Sequence, residues 1–434
     1  MGCILLVAEK CNISILIFNR VLLFAAIIVS IITVMKLKNI VLKYKKNDNK
    51  IGKWILLVAC YYTIFHFFYI DNLYFAEAFV MAISVLSYII AADYIVYSKK
   101  YIKAVIILLI GVFSYQATIS MFFVCVILFS MLKELNYRYI FKNFIIAIAF
   151  SLITVIINFC DILLVQKIWG LNQRRLGDNI FINIIQLTFY VGKIIINTGN
   201  LFPTCLYIIF IFVIQEILYY KIVRYNRNKE GERILIEQLI LIISCITLSF
   251  IPSIVSLTAY ESGRIRFSMG ATIGILFIHM LVKADLSNIK ARANKLLIFV
   301  LIVYAVINSV NYIYLVNLNK QVNNLDEIYA YKVEDYIKEY ENENNIQVKY
   351  IAIILESDSN KKYYSEINCK HVGLAISALR TEWSADGLIN YYTGRNLERI
   401  NVTDEEEEIY LQIVDRQKDY LCIGDTLYLT VYHI

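Results

Sequence analysis

Charged residues, proline and nucleotide- or metal-binding motifs are all scarce in this sequence. Only 18% of its 434 residues are charged, against about 25% in soluble proteins. Proline occurs twice, and of the two only Pro252 is expected to kink a helix. The nine cysteines form no Cys-x-x-Cys pair, and Walker, Rossmann and zinc-protease signatures are missing. These absences exclude the common ATPases, dinucleotide enzymes and zinc hydrolases.

Apolar residues dominate instead. The chain is 59% hydrophobic, its mean hydropathy is +0.61, and apolar runs of about 20 residues recur along it, the length that crosses a bilayer. This pattern predicts a polytopic α-helical membrane protein with about ten membrane segments in a transmembrane domain over residues 1–316. From residue 317 onward the charge density rises and long apolar runs stop, which predicts a small α/β domain over residues 317–434.

Basic residues set the predicted orientation. Segment 36–53 contains seven lysines, and segments 221–233 and 283–295 are also basic. Cytoplasmic loops carry an excess of Lys and Arg, so these segments are predicted to lie inside. The net charge of +7 therefore reports orientation, and no nucleic-acid partner is expected. The many Ile, Lys, Asn and Tyr residues are typical of AT-rich bacterial genomes, so we expect a multi-pass protein of the bacterial inner membrane.

The uncharged stretch 104–132 is too long for one ordinary span and short for two. Basic residues stand at both of its ends, so both ends are predicted inside, with a helical hairpin turning at 111–116. A turn at membrane depth exposes backbone polar groups and needs a cavity, which Tyr115 and Gln116 would line. One long tilted helix, with both residues as packing groups, is the alternative.

Three predicted outer loops carry charged residues that could act in catalysis or in phosphate binding. Asp71 and Glu77 would supply a catalytic base or ligands for a divalent cation. Arginine binds phosphate in a bidentate manner, and four arginines lie in the other two loops against the orientation rule: Arg174, Arg175, Arg264 and Arg266. Asp178 and Glu261 share those loops and would line the same cavity. Solvated loop acids, contact with lipid headgroups and interhelical salt bridges are the alternatives.

Three segments resemble the bacterial integral-membrane glucosyltransferases that decorate O-antigen and other surface glycans, the type-II Gtr-like group with a GT-C-like fold. The Phe-Ser-Tyr-Gln run at 113–116 resembles the Tyr-Gln turn of that group. Glu-Ser-Gly-Arg at 261–264 resembles its late Gly-Arg outer loop. Trp383, Tyr-Thr-Gly at 392–394 and Gly-Asp-Thr-Leu at 424–427 resemble its C-terminal domain in their order.

The resemblance implies a glycosyltransferase that moves a sugar, glucose in that group, from a polyprenyl-phosphate donor to a cell-surface glycan at the outer face. Members of the group usually place a large outer loop with catalytic acids after their first span, whereas this chain starts at what would be the far side of that loop. Asp71 or Glu77 is therefore expected to supply the acid. A glycan transporter, a polymerase-like protein and a non-catalytic truncated relative are the alternatives. A transporter often shows repeated halves, and the sequence shows no repeat.

The orientation can be tested with reporters. A single outgoing span over 296–316 follows the last basic segment, so the C-terminal domain is predicted to be extracytoplasmic. A periplasm-active reporter fused after Val431 should be active, and a cytoplasm-active reporter at the same position should not. Matched fusions after Lys283 should give the opposite pattern. Activity of only the cytoplasmic reporter after Val431 would contradict the orientation.

Overall fold

A computed structural model gives the fold of the chain. It describes residues 15–44, 50–73, 77–133, 136–169, 185, 211, 213–214, 229–254, 266–283, 291–356, 377–380, 384–402 and 419–432. The chain divides into two compact units, Met1–Tyr312 and Ile313–Ile434. They are called the helical unit and the C-terminal unit here.

Helices account for almost all of the described part of the helical unit. Their bounds in chain order are α1 Ile15–Leu42, α2 Lys50–Ile64, α3 Tyr69–Leu73, α4 Ala78–Asp93, α5 Tyr101–Ser114, α6 Ser120–Lys133, α7 Tyr137–Trp169, α8 Lys229–Leu248, α9 Ile251–Ile254, α10 Phe267–Gly270, α11 Thr272–Lys283 and α12 Ala291–Asn344. A π-helical turn, Tyr94–Ser98, extends α4, and a 3-10 turn, Gln116–Thr118, separates α5 from α6.

Five helical stretches in the described part of the chain are long and apolar enough to cross a membrane. They are Phe18–Leu42, Ala78–Ser98, Gln116–Lys133, Tyr137–Val165 and Ile298–Asn344. Three further helices are apolar but shorter: Lys53–Ile64, Tyr101–Ser114 and Thr272–Lys283. These helices fit a lipid bilayer, as predicted, although five spans are fewer than the ten segments expected. Predicted segments 181–196 and 203–220 lie almost entirely outside the described residues.

The two ends of the helical unit differ in charge. Lys43, just after α1, forms an ion pair with Asp93 at the end of α4, with 2.8 Å between Nζ and Oδ2. Lys133, at the end of α6, donates a hydrogen bond of 2.7 Å to the carbonyl oxygen of Val96. Other cations gather around these contacts: Lys99, Lys100, Arg138 and Arg233. The end of the helical unit that carries these residues is called the basic end here. The opposite end, where α4 begins, carries Glu77 and is called the cleft end.

The uncharged stretch folds as a hairpin. α5 ends at Ser114, Tyr115 is extended (φ −162°, ψ 111°), the 3-10 turn follows, and α6 begins at Ser120. Lys133 at the end of α6 contacts Val96, which lies only five residues before α5 begins. The first arm, α5, therefore begins at the basic end, and the second arm, α6, ends there. The structure therefore confirms the hairpin over the single tilted helix.

Helix α4 holds the turn of the hairpin. The Tyr88 hydroxyl donates to the carbonyl oxygen of Tyr115 at 2.9 Å, and the hydroxyls of Ser84 and Thr118 pair at 2.8 Å. A Cβ on Gly111 would stand 2.6 Å from the Tyr88 ring, so glycine permits this close approach. Ser84 lies six residues into α4, which places the turn about 9 Å short of the cleft end. The backbone carbonyl of Tyr115 at the turn is therefore hydrogen-bonded within the protein, as apolar surroundings require.

The C-terminal unit contains a four-stranded sheet. Its elements are β1 Tyr350–Glu356, a 3-10 turn Ala378–Arg380, α13 Ala385–Thr393, β2 Glu398–Ile400, β3 Tyr420–Ile423 and β4 Thr426–Tyr432. The strand order is β2-β1-β4-β3. β1 pairs in parallel with β2 and β4, while β3 and β4 form an antiparallel hairpin through Gly424, whose φ is +60°.

The core of the C-terminal unit lies between the sheet and two helices. Residues from the end of α12 and from α13 pack on one face of β1 and β4: Tyr329, Ala330, Val333, Ile337, Ala385, Ile389, Ile351, Leu427, Leu429 and Val431. The predicted strands at 348–355 and 425–432 are confirmed. The predicted helix at 385–392 is confirmed too, and Gly394 (φ +69°) ends it by donating to the Asn390 carbonyl oxygen at 3.0 Å. The elements predicted at 373–377 and 408–414 lie outside the described residues, apart from Ser377.

An arginine joins two turns of α12 to the loop after α13. Arg395 donates from Nε to Glu334 Oε2 at 2.5 Å and from Nη1 and Nη2 to the two oxygens of Glu341, both at 2.9 Å. Glu341 Oε1 also accepts the backbone N–H of Val348 at 2.8 Å. The hydrogen bonds from Arg395, and next that from Val348, lower the pKa of the Glu341 carboxyl. This network fixes the end of α12 beside the start of the sheet.

Loss of this arginine should loosen the C-terminal unit. Hydrogen bonds to charged groups contribute about 1.5–3 kcal/mol each, so the loss of all three in Arg395→Ala is expected to lower local stability by at least about 4 kcal/mol. Hydrogen–deuterium exchange of the β1 and β4 amides in the whole protein measures this as faster exchange. Lys338→Ala is the control, because Lys338 is 60% exposed and its 3.4 Å contact with Glu334 should contribute little.

The loss of local stability in Arg395→Ala should become smaller as the pH falls. Because the folded-state pKa of Glu341 is lowered, its contribution is complete above the ordinary carboxyl pKa of about 4.3 and is lost as the pH falls through the lowered value. Wild type and Arg395→Ala should therefore differ most near neutral pH and converge in acid. Equal amide protection of the two proteins at pH 7 would contradict this role.

Candidate functional site

A narrow cleft lies at the cleft end of the helical unit, among α1, α3, α4 and α10. Its cavity volume is about 10 Å³, which is room for about one water molecule. Its polar lining residues are Ser30, Thr33, Tyr69 and Asn72. Phe267 supplies an aromatic wall, and Ala78 and Ala82 of α4 supply a small-residue wall.

The polar groups of the cleft are only partly satisfied. The hydroxyls of Ser30 and Tyr69 lie 2.6 Å apart, and Thr33 donates its hydroxyl to the carbonyl oxygen of Val29 at 2.7 Å. Asn72 is 3% exposed, and its Oδ1 atom has no hydrogen-bond partner among the described residues. The cleft therefore presents hydroxyl and amide groups on otherwise apolar walls.

Three of the predicted site residues stand next in sequence to residues that line this cleft. The backbone of Asp71 lies in α3 directly before Asn72. Glu77 is half-buried at the N-terminus of α4, without a side-chain capping hydrogen bond, and is followed by the lining residue Ala78. Arg266 is 5% exposed and directly precedes Phe267. The three residues are thus chain neighbours of cleft-lining residues, and Arg266 is itself buried.

The other predicted residues are placed differently. Tyr115 and Gln116 form the hairpin turn and are not among the lining residues of this cleft. α4 separates them from it, since Val85 lines the cleft while Ser84 bonds to the turn. The remaining predicted residues lie outside the described residues: Arg174, Arg175, Asp178, Glu261 and Arg264.

Sequence reasoning missed a buried polar cluster on α8 and α11, toward the basic end. Glu237, Gln238 and His279 are all fully buried. Glu237 Oε2 lies 2.9 Å from His279 Nε2, and Gln238 Nε2 lies 2.9 Å from His279 Nδ1. Arg233 Nε is 3.5 Å from Glu237 Oε1, and its guanidinium lies over the Tyr137 ring. Arg233 and Glu237 are four residues apart, a spacing that places both on one face of a helix, and this was the sequence signal that could have revealed their pairing.

The hydrogen-bond pattern fixes the proton on His279. Gln238 Nε2 also donates to the carbonyl oxygen of Leu276 at 3.2 Å, and a carbonyl can only accept. The amide nitrogen therefore faces both acceptors, and His279 Nδ1 carries a lone pair. His279 Nε2 holds the hydrogen and donates it to Glu237. The cluster is thus a neutral imidazole between an amide and a carboxylate that Arg233 neutralises, an arrangement that clamps α8 to α11.

Neither the described residues nor the comparisons assign a cofactor or a relative. Among the residues that the structure describes, no three His, Cys, Asp or Glu side chains are grouped so as to hold a metal ion. No family model, curated protein or solved structure matches the chain.

The buried cluster should be needed for stability. Removal of Glu237 leaves the buried Nε2–H of His279 without an acceptor, at a cost of about 1–3 kcal/mol. Glu237→Ala should therefore lower the midpoint of thermal unfolding of the purified protein by several degrees. Glu232→Ala is the matched control, because Glu232 is an exposed acid on the same helix. Identical midpoints for wild type and Glu237→Ala would show that the cluster does not stabilise the bundle.

Proposed function

We propose that this protein is a membrane glycosyltransferase of the bacterial inner membrane. It would move a sugar, glucose by the resemblance described above, from a polyprenyl-phosphate donor to a cell-surface glycan at the outer face. The observation that supports this proposal is a cleft lined by hydroxyl and amide groups, with Asp71, Glu77 and Arg266 each next in sequence to one of its lining residues. Acid, phosphate ligand and sugar-binding polar groups are what such a transfer needs.

The charge difference between the two ends supports the orientation in the proposal. Lys and Arg gather at the basic end, which the positive-inside rule assigns to the cytoplasm. The cleft end then faces outward, where a lipid-linked donor can enter from the bilayer. About ten membrane segments and an extracytoplasmic C-terminal unit belong to the same proposal.

Asp71, Glu77 and Arg266 each have a defined role in the proposed transfer. Glu77 or Asp71 accepts the proton of the acceptor hydroxyl, whose oxygen then bonds to the anomeric carbon of the sugar. The bond between that carbon and the phosphate oxygen breaks, and polyprenyl phosphate leaves with its negative charge. Arg266 stabilises that charge, joined by Arg264, Arg174 and Arg175 from loops outside the described residues. Asp178 and Glu261 complete the lining, and a divalent cation held by Asp71 and Glu77 would share the phosphate charge.

Neutral variants of the two acids test the proposal. General base catalysis contributes about 10²–10⁴-fold, so either Glu77→Gln or Asp71→Asn should reduce transfer at least a hundredfold. Transfer is measured in isolated membranes as radiolabelled glucose moved from polyprenyl-phosphate glucose to surface glycan. Asp161→Asn, an exposed acid on α7, is the matched control and should leave transfer unchanged. Wild-type transfer by both acid variants, at equal protein level, would refute the assigned base.

A further inference from the structure

The basic end presents two ammonium groups to one aromatic ring. Lys43 Nζ lies 4.9 Å from the centroid of the Tyr97 ring, and Lys133 Nζ lies 5.6 Å from the same centroid. Tyr44 packs edge-on against Tyr97, with 5.7 Å between the ring centroids, which holds the ring in place. Tyr97 is 45% exposed, so this arrangement opens to the surface of the helical unit.

The positive charge of this arrangement is only partly compensated. Lys43 pairs with Asp93, which is buried. Lys133 donates to two backbone carbonyl oxygens of the π-helical turn, at 2.7 and 3.5 Å, and these carry no formal charge. Lys99 and Lys100 follow the turn and are exposed. Among the described residues, Asp93 is the one acid paired with any of these four lysines. An anion from outside would therefore complete the charge balance.

Lys99 stands in a backbone conformation that lysine rarely adopts. It ends the π-helical turn with φ 51° and ψ 32°, in the left-handed region, and the N–H of Lys100 donates to the carbonyl oxygen of Tyr94 at 3.0 Å. A residue with a Cβ is disfavoured there, and glycine or asparagine would occupy the position at lower cost. Strained residues and π-helical turns are both frequent at functional sites. A lysine at this position therefore indicates a use for its charge.

Apolar side chains next to these lysines indicate the kind of anion. The candidate spans Ala78–Ser98 and Gln116–Lys133 both end here, where the headgroups of a bilayer would lie. In the first turns of α5, Ile102 and Ile106 are 79% and 53% exposed. A soluble anion would leave these two side chains uncovered. A phospholipid would cover them with an acyl chain and present its phosphate to the lysines, and basic residues at a membrane surface attract anionic lipids.

We propose that the basic end binds one anionic phospholipid through Lys43, Lys99 and Lys133. These lysines bind the phosphate of the headgroup, and Tyr97 holds two of the ammonium groups beside it. Ile102 and Ile106 contact an acyl chain. The inference is independent of the proposed glycosyl transfer, because it concerns the end of the helical unit opposite the cleft.

Lys99→Asn tests this site, because asparagine tolerates the left-handed conformation and removes the charge. Native mass spectrometry of the detergent-solubilised protein measures the Kd of the first bound phosphatidylglycerol. One lysine near anionic lipid contributes about fivefold to binding, so Lys99→Asn should raise this Kd about fivefold and Lys99→Arg should leave it near wild type. The unfolding midpoint without lipid should stay equal or rise. If Lys99→Asn yields no folded protein, Lys99→Gly serves as the second variant. An unchanged Kd in the folded variant would overturn the inference.

A matched control removes the same charge elsewhere. Lys338 is an exposed lysine of the C-terminal unit, so Lys338→Gln lowers the net charge equally without touching the basic end. Its Kd for phosphatidylglycerol should equal that of wild type. An equal rise of the Kd in Lys338→Gln and Lys99→Asn would show that net charge alone attracts the lipid, and would overturn the site.

Two further ligands separate an anionic phospholipid from other sources of phosphate. Phosphatidylcholine with the same acyl chains should bind more weakly than phosphatidylglycerol, and equally to wild type and Lys99→Asn, because its headgroup has no net charge. Inorganic phosphate at the same concentration as the lipid should not displace phosphatidylglycerol from the wild-type protein. Displacement by inorganic phosphate would indicate a site for the free ion, and would overturn the lipid assignment. Phosphatidylcholine that binds as tightly as phosphatidylglycerol would overturn it as well.

Discussion

Hydrogen bonding without water is the constraint on which the helical unit depends. In an apolar medium each polar backbone or side-chain group must find its partner within the protein. The structure meets this demand at two breaks between helices. Tyr88 bonds to the carbonyl of Tyr115 at the hairpin turn, and Lys133 bonds to the carbonyl of Val96 beside the π-helical turn. These contacts permit a hairpin of two short arms where a continuous helix would otherwise be favoured.

Some buried polar side chains of the helical unit nevertheless have no hydrogen-bond partner among the described residues. Among the described residues, both ring nitrogens of His66 and the amide oxygens of Asn72 and Asn308 are buried without a hydrogen-bond partner. Toward the basic end, the fully buried His279 is instead bonded through both nitrogens. Unsatisfied atoms occur there too, in Tyr44 and Asp93, so incomplete hydrogen bonding is spread along the bundle.

The sequence predicts those features that follow from local pattern. Length and flanking charge predicted the hairpin, alternation predicted β4, and Gly394 marked the end of α13. β2 and β3 have three and four residues, too few to show a period, and form only because β1 and β4 provide edges. Asp71 and Glu77 were singled out by charge, but Asn72 is recognisable only once its burial is known. The Glu237–His279 contact joins residues 42 positions apart, which no local pattern reveals.

Helix α4 couples the two features on which the proposed function depends. One of its faces lines the cleft with Ala78, Ala82 and Val85, and another bonds to the hairpin turn through Ser84 and Tyr88. Protein interiors are close-packed, so a shift of one face of a helix moves the other. The hairpin turn can therefore influence the cleft without lining it. The Tyr-Gln turn on which the glucosyltransferase resemblance partly rests then has a physical role as a support for α4.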